Sequence, residues 1–335
     1  MNASDFFRRV AAVLLGLVLF AGGVLKLMDP VGAQLVMESY LNFLHLGFLR
    51  VLAPLLTLIF NLLETLVGIA VIAGAWTRWM RWVALGLMSF FTFLTLLLLI
   101  FNPAMDCGCF GEIVHLTHLQ SFLKNIVLLL LWVAAFLPLG KVSRHHVRRP
   151  VLAVIAMAGA LVFCLHGYRH LPLLDLTDLK IGTELTEGKV SLLGEDGDYH
   201  DELALEGPVL LISVHDPAAL SAGERERIAR TAEAAREVGM TPIIASAGPL
   251  DSEGLPEGAY LADRKTLKSL NRSNGGATYI SDGQIVRKWR VGRSTASRLG
   301  QTLAQDPATV IAERVVRGRL TVGTYVLLTF VLILI

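Results

Sequence analysis

Leu96-Leu97-Leu98-Leu99-Ile100-Phe101-Asn102-Pro103-Ala104-Met105-Asp106-Cys107-Gly108-Cys109-Phe110-Gly111-Glu112 passes from an unbroken apolar run into a short polar loop holding two of the chain's three cysteines. The apolar part completes a segment at 82–101 that is long enough to cross a hydrocarbon core of about 30 Å, and another follows at 121–139. A Cys-x-Cys loop between two such segments predicts thiol chemistry at one surface of a membrane. A disulfide between cysteines one residue apart would close a small ring, strained and easy to reduce and reform, which suits redox exchange better than stapling. Gly108 can take the unusual backbone angles of such a ring, and Gly111 relaxes the turn after it.

The composition agrees. The 335 residues are 54% hydrophobic and 17% charged, too apolar for one ordinary soluble globule. A formal charge of +2, left from 30 basic and 28 acidic groups, gives no case for nucleic acid as a partner. Apolar runs at 10–28, 51–75, 82–101, 121–139 and 150–167 read as five spans through a lipid bilayer. The first is read as a retained helix, because no small-x-small cleavage site follows it. Residues 31–50, with Glu38, Tyr40, Asn42 and His45 among apolar positions, read as an interfacial helix or re-entrant loop.

Basic residues set the orientation. Arg8 and Arg9, then Arg78 and Arg81, then Lys141, Arg144, Arg148 and Arg149 fall on one side of successive spans, which marks that side as cytoplasmic. The cysteine loop and everything after the fifth span then face the opposite, oxidising compartment. The expected setting is a bacterial inner membrane, crossed several times, with a periplasmic soluble domain.

Residues 168–315 change character, with frequent charges and strand-length apolar runs. Val209–Val214 and Pro242–Ala245 read as strands, Glu224–Val238 and Thr266–Asn271 as helices. Gly276–Ile280 and Gln284–Trp289 form a hairpin around Ser281-Asp282-Gly283. A β-α-β unit followed by a hairpin is an α/β pattern. Leu320–Ile335 is apolar throughout and reads as a C-terminal anchor. The expected domains are 1–140, a four-span bundle with the Cys-Gly-Cys loop; 141–167, a fifth membrane helix; 168–315, the soluble domain; and 316–335, the anchor.

Several stretches resemble the MauE/DoxX-like family of bacterial membrane proteins. They are Gly22-Gly23-Val24-Leu25-Lys26-Leu27-Met28-Asp29-Pro30, Asn61-Leu62-Leu63-Glu64 with Gly68, Asn102 to Gly111, and Lys124-Asn125, together covering about residues 8–140. The resemblance implies a four-helix membrane bundle; the family's methylamine-utilisation members are associated with maturation of a disulfide-rich periplasmic dehydrogenase. The soluble domain is similar to a thioredoxin fold in its strand, helix and hairpin over 208–289. It departs from that fold in two places. His215-Asp216-Pro217-Ala218-Ala219 holds no cysteine where the family has its pair, and Gly275 stands at the usual cis-proline.

Cys107 and Cys109 are the candidate catalytic pair, exchanging with a periplasmic thiol or disulfide protein through a mixed disulfide. The alternatives are a fixed staple, or a metal site drawing on His115 and His118. Asp106 and Glu112 would raise the thiol pKa values, whereas a protonated histidine nearby would lower them. Lys26 and Glu64 are ionisable groups at membrane depth and are expected to pair. They either form a structural ion pair or supply hydrogen bonds and a proton route to a quinone cofactor. Asn125 reads as helix-helix glue, Cys164 as an inert buried thiol, and Gly194-Glu195-Asp196-Gly197-Asp198 as a turn. The favoured function is membrane thiol-disulfide redox in maturation of exported proteins. Its rival is a non-catalytic scaffold that recruits a partner through the cysteine-free domain.

Overall fold

The computed structural model describes residues 3–103, 105, 107–112, 116–137, 148–169, 175, 177–248 and 259–334. The chain divides into two compact units, one of Met1–Leu173 with Thr321–Ile335 and one of Leu174–Leu320. Among the described residues, five helical stretches are long and apolar enough to cross a membrane, namely Ser4–Met28, Gly47–Ala73, Thr77–Phe101, His118–Phe136 and Pro150–Gly167. The protein is a multi-pass membrane protein with an α/β unit.

In the membrane unit, α1 (Ala3–Met28) stops at Asp29. The Asp29 carboxylate caps α2 (Pro30–Phe43) by accepting from the Gly32 amide at 3.1 Å, and Pro30 supplies a first-turn residue that needs no amide partner. A 3-10 turn over Gly47–Leu52 leads into α3 (Ala53–Ala73), which Gly74 ends in the left-handed conformation at φ 68. Then come α4 (Thr77–Phe101), the short strand β1 (Cys109–Glu112), α5 (His118–Phe136) and α6 (Arg148–Arg169). Thr117 and Gln120 form a capping box that starts α5.

Helices α1 and α3 pack closely because glycines line their crossing. A Cβ added at Gly68 would stand 2.5 Å from Phe20 N and 2.9 Å from Gly16 O, closer than any side chain tolerates. At one end of the unit, the Arg9 guanidinium donates to the Val71 and Ile72 carbonyls, and Arg8 Nε donates to Ala135 O at 3.2 Å. Trp132 Nε1 donates to Arg81 O at 2.7 Å. The start of α1, the ends of α3 and α5, and the start of α4 therefore share one end, with both described basic clusters, while β1 packs at the far end of α1. Of the third cluster, Lys141 and Arg144 and the side chains of Arg148 and Arg149 lie outside the described residues.

The second unit holds β2 (Pro208–Val214), α7 (Ala222–Glu237), β3 (Thr241–Ser246), β4 (Tyr260–Leu261), α8 (Arg264–Leu270), β5 (Gly276–Ser281), β6 (Gln284–Trp289), α9 (Ala296–Leu303) and the opening turns of α10 (Pro307–Leu334). The sheet order is β4-β3-β2-β5-β6; β2 runs parallel to β3 and antiparallel to β5. Central β2 is apolar on both faces. Leu210, Ile212 and Val214 face a core with Ile228, Leu299 and Val310, and Val209 and Leu211 face another with Leu192, Leu267 and Ile285. The β5–β6 turn has both Asp282 (φ 46) and Gly283 (φ 76) left-handed, the tight hairpin the sequence predicts.

One boundary moves. The sequence ends the soluble domain at 315 and starts an anchor at 316, but α10 runs unbroken across that point and the units divide at Leu320. The helix starts early because Val310 is buried in the second unit's core, which recruits its first turns. The apolar end of α10 is not among the five membrane helices above.

Candidate functional site

The cysteine loop is held from three sides. From α2, Tyr40 Oη donates to Cys107 O at 3.0 Å and stands 3.6 Å from Cys107 Sγ. Val36 on the same helix lies over Gly108, where an added Cβ would come within 2.4 Å of Val36 Cγ1. Gly108 (φ 62) and Gly111 (φ 66) are both left-handed, and the Gly111 amide donates to Gly108 O at 3.1 Å, closing the turn the sequence predicts there. From α5, Lys124 Nζ sits 5.0 Å from the centre of the Phe110 ring. From α1, Leu25 O lies beneath Gly111.

Cys107 is 5% exposed and Cys109 half-buried, both as free thiols. They divide one charge unequally. Cys107 is lowered to about 6, chiefly by a hydrogen bond from Cys109, with Ser121, Tyr40 and Lys124 adding to it against burial. Ser121 Oγ makes no hydrogen bond of good geometry, yet it lies within reach of the Cys107 sulfur. Cys109 is pushed up, first by the hydrogen bond it gives to Cys107 and then by burial. Donors rather than water stabilise the Cys107 thiolate. The same charge, after burial, raises the Tyr40 phenol.

Lys26 and Glu64 are brought together. Lys26 Nζ lies 2.5 Å from Glu64 Oε2, with Glu64 buried and Lys26 half-buried, and the ammonium stands over the Phe91 ring at 5.4 Å. This ion pair belongs to the loop's surroundings. An added Cβ at Gly22 would meet Glu64 Oε1 at 2.8 Å and Cys109 O at 3.4 Å, so the carboxylate and the loop backbone share the space that Gly22 leaves open. Asn125 Nδ2 donates to Thr95 Oγ1 at 3.0 Å, joining α5 to α4.

Other predicted groups stand apart. His118 directs Nδ1 to Asn102 Oδ1 and Nε2 to Met105 O, each at 2.9 Å, so both ring nitrogens are engaged and it leaves the metal set. No cluster of metal-ligating side chains occurs among the described residues. Asp106, His115 and the side chain of Glu112 lie outside them. Cys164 is 3% exposed on α6.

The sequence reading misses Tyr40, Ser121 and Lys124 as partners of the cysteines. Lys124 carries a signal, a cation inside a predicted span. Tyr40 and Ser121 carry none, since only the folding of α2 and α5 against β1 brings them there.

Comparison with curated proteins and with solved structures finds no match to the chain. A family model, that of the methylamine utilisation protein MauE, matches residues 4–139. That span contains α1 to α5, the cysteine loop and the Lys26–Glu64 pair, and over these residues the chain is similar to the MauE family.

Proposed function

We propose that the membrane unit is a thiol-disulfide exchange centre in which Cys107 is the nucleophile and Cys109 the resolving thiol. The observation that carries this is the unequal pair, a Cys107 thiol lowered to about 6 by donors beside a Cys109 thiol held protonated. The Cys107 thiolate attacks a substrate disulfide, forming a mixed disulfide and releasing a substrate thiolate. Cys109 then loses its proton and attacks Cys107 Sγ, releasing the second substrate thiolate and leaving a Cys107–Cys109 disulfide. The substrate is reduced by two electrons and the pair is oxidised by two; the reverse sequence oxidises a substrate dithiol.

The loop faces the periplasm in this reading, with the basic end of the bundle in the cytoplasm of an inner-membrane protein. Substrates are exported proteins carrying thiols or disulfides. The MauE name associates the family with methylamine utilisation. The additional α/β unit here points to a client that it helps to select. The order β4-β3-β2-β5-β6, with β5 antiparallel to β2, supports a thioredoxin-like reading of that unit. It has no cysteine, so its part is to bind or position. This observation favours a second reading, a scaffold whose loop is a static structural element.

The geometry of Lys26 and Glu64 lends a quinone no support. The two side chains are closed on each other, and a cavity of about 20 Å³ among the described residues lies elsewhere, lined by Phe20, Val24, Phe163 and Tyr325. That is room for a water, not a quinone ring. No step is routed through a quinone.

Cysteine substitutions decide between the readings. Cys109→Ala is expected to accumulate a mixed disulfide between Cys107 and an exported partner on non-reducing gels, whereas Cys107→Ala gives none. Adducts from neither variant would favour the scaffold, and adducts only from Cys107→Ala would reverse the roles.

A further inference from the structure

The second unit ends in a face built from arginine. On α10, Val310 is buried against Leu299 and Trp289, and Arg314 and Arg317 follow it on the same helical face. They, and Arg298 on α9, come within electrostatic reach of Arg287 on β6. Arg287 Nη1 donates to Thr302 Oγ1 at 2.9 Å, while its Nε is buried without a hydrogen-bond partner. Burial first, and then Arg314, Arg298 and Arg317, lower Arg287 to about 10; Arg314 is lowered likewise by burial and Arg317. Glu313 is the acidic neighbour that opposes this. Guanidinium groups gathered on a folded surface make a positive field that attracts anions.

The neighbouring side chains identify the anion's carrier. Val316 is 55% exposed and Leu320 66%, interleaved with Arg317 and Arg319, and the apolar run to Ile335 begins at Leu320. Cations alternating with exposed aliphatic groups match a lipid interface, where guanidinium groups meet phosphate and the aliphatic groups enter the acyl boundary. A free phosphate would leave both aliphatic side chains in water. We propose that Arg287, Arg298, Arg314 and Arg317, with Val316 and Leu320, form a docking face of the second unit for anionic phospholipid headgroups. It is independent of the thiol chemistry proposed above.

The test is hydrogen exchange of the full chain in nanodiscs of phosphatidylcholine with and without phosphatidylglycerol. Anionic lipid is expected to slow exchange several-fold in α9 and over residues 307–320, and added salt to reverse the effect. Arg298→Gln with Arg314→Gln should abolish the lipid dependence while leaving exchange in β2 and β3 unchanged, which shows that the unit still folds. Val316→Ser with Leu320→Ser should weaken the dependence with every charge retained. Equal exchange in the two lipids, persistence of the effect in the arginine variant, or full protection by inorganic phosphate in phosphatidylcholine discs would each overturn the proposal. An undiminished effect in the serine variant would do the same, assigning the face to an acidic partner rather than to lipid.

Discussion

At the scale of single residues, the Cys107 thiol is set by donors that can be removed one at a time. Because its pKa lies below the ordinary thiol range, at about 6, the reactive thiolate persists as pH falls through neutrality and is lost only near pH 6. Alkylation of Cys107 by iodoacetamide, mapped by mass spectrometry, is therefore expected to be half-maximal near that pH. Tyr40→Phe should move the midpoint upward, since it deletes a donor to the sulfur. A midpoint above pH 8 in the unaltered chain would remove the basis for naming Cys107 the nucleophile. Glu64→Gln leaves the half-buried Lys26 without its counter-charge, a loss of about 3 kcal/mol for a broken buried pair, read as a lower thermal midpoint. Adding Lys26→Met should restore most of it, because contacting residues are non-additive. If stability returns and exchange does not, the pair serves the chemistry; if both return together, it is structural.

At the scale of elements, close approach decides what the helices tolerate. Gly68→Ala forces α1 away from α3 and should destabilise the membrane unit by about 2 kcal/mol, as overpacking does, visible as early thermal unfolding in detergent. Gly86→Ala on α4 is the control. Its added methyl meets nothing within 4 Å, so it should be neutral or slightly stabilising. Equal effects at the two glycines would show that α1 and α3 have room to spare. The elements themselves were largely legible. The five spans, the two long strands with the helix between them, and the hairpin all follow from period, length and turn residues. The start of α10 was not, because its first turns belong by packing to the second unit while its hydropathy changes only at Leu320. Nor was the site's inner lining. Cys107, Cys109, Lys26 and Glu64 declare themselves by type and place, but Tyr40 and Ser121 are ordinary residues until α2 and α5 fold against β1.

At the scale of the whole molecule, the bundle has a basic end and a cysteine end. An impermeant maleimide applied to intact spheroplasts after reduction is expected to label Cys109 ahead of the more buried Cys107, and to leave Cys164 unlabelled until denaturation. Protection of both loop cysteines until lysis would invert the orientation. The Lys26–Glu64 contact also bears on how the chain is made. The ammonium arrives with α1 and the carboxylate only with α3, and each alone costs about 3 kcal/mol at the centre of a bilayer, less toward its edge. Until α3 emerges, the first helix is expected to keep its lysine drawn toward the interface. The two helices then settle into lipid as a neutral hairpin, so the residues that line the finished site also time its assembly.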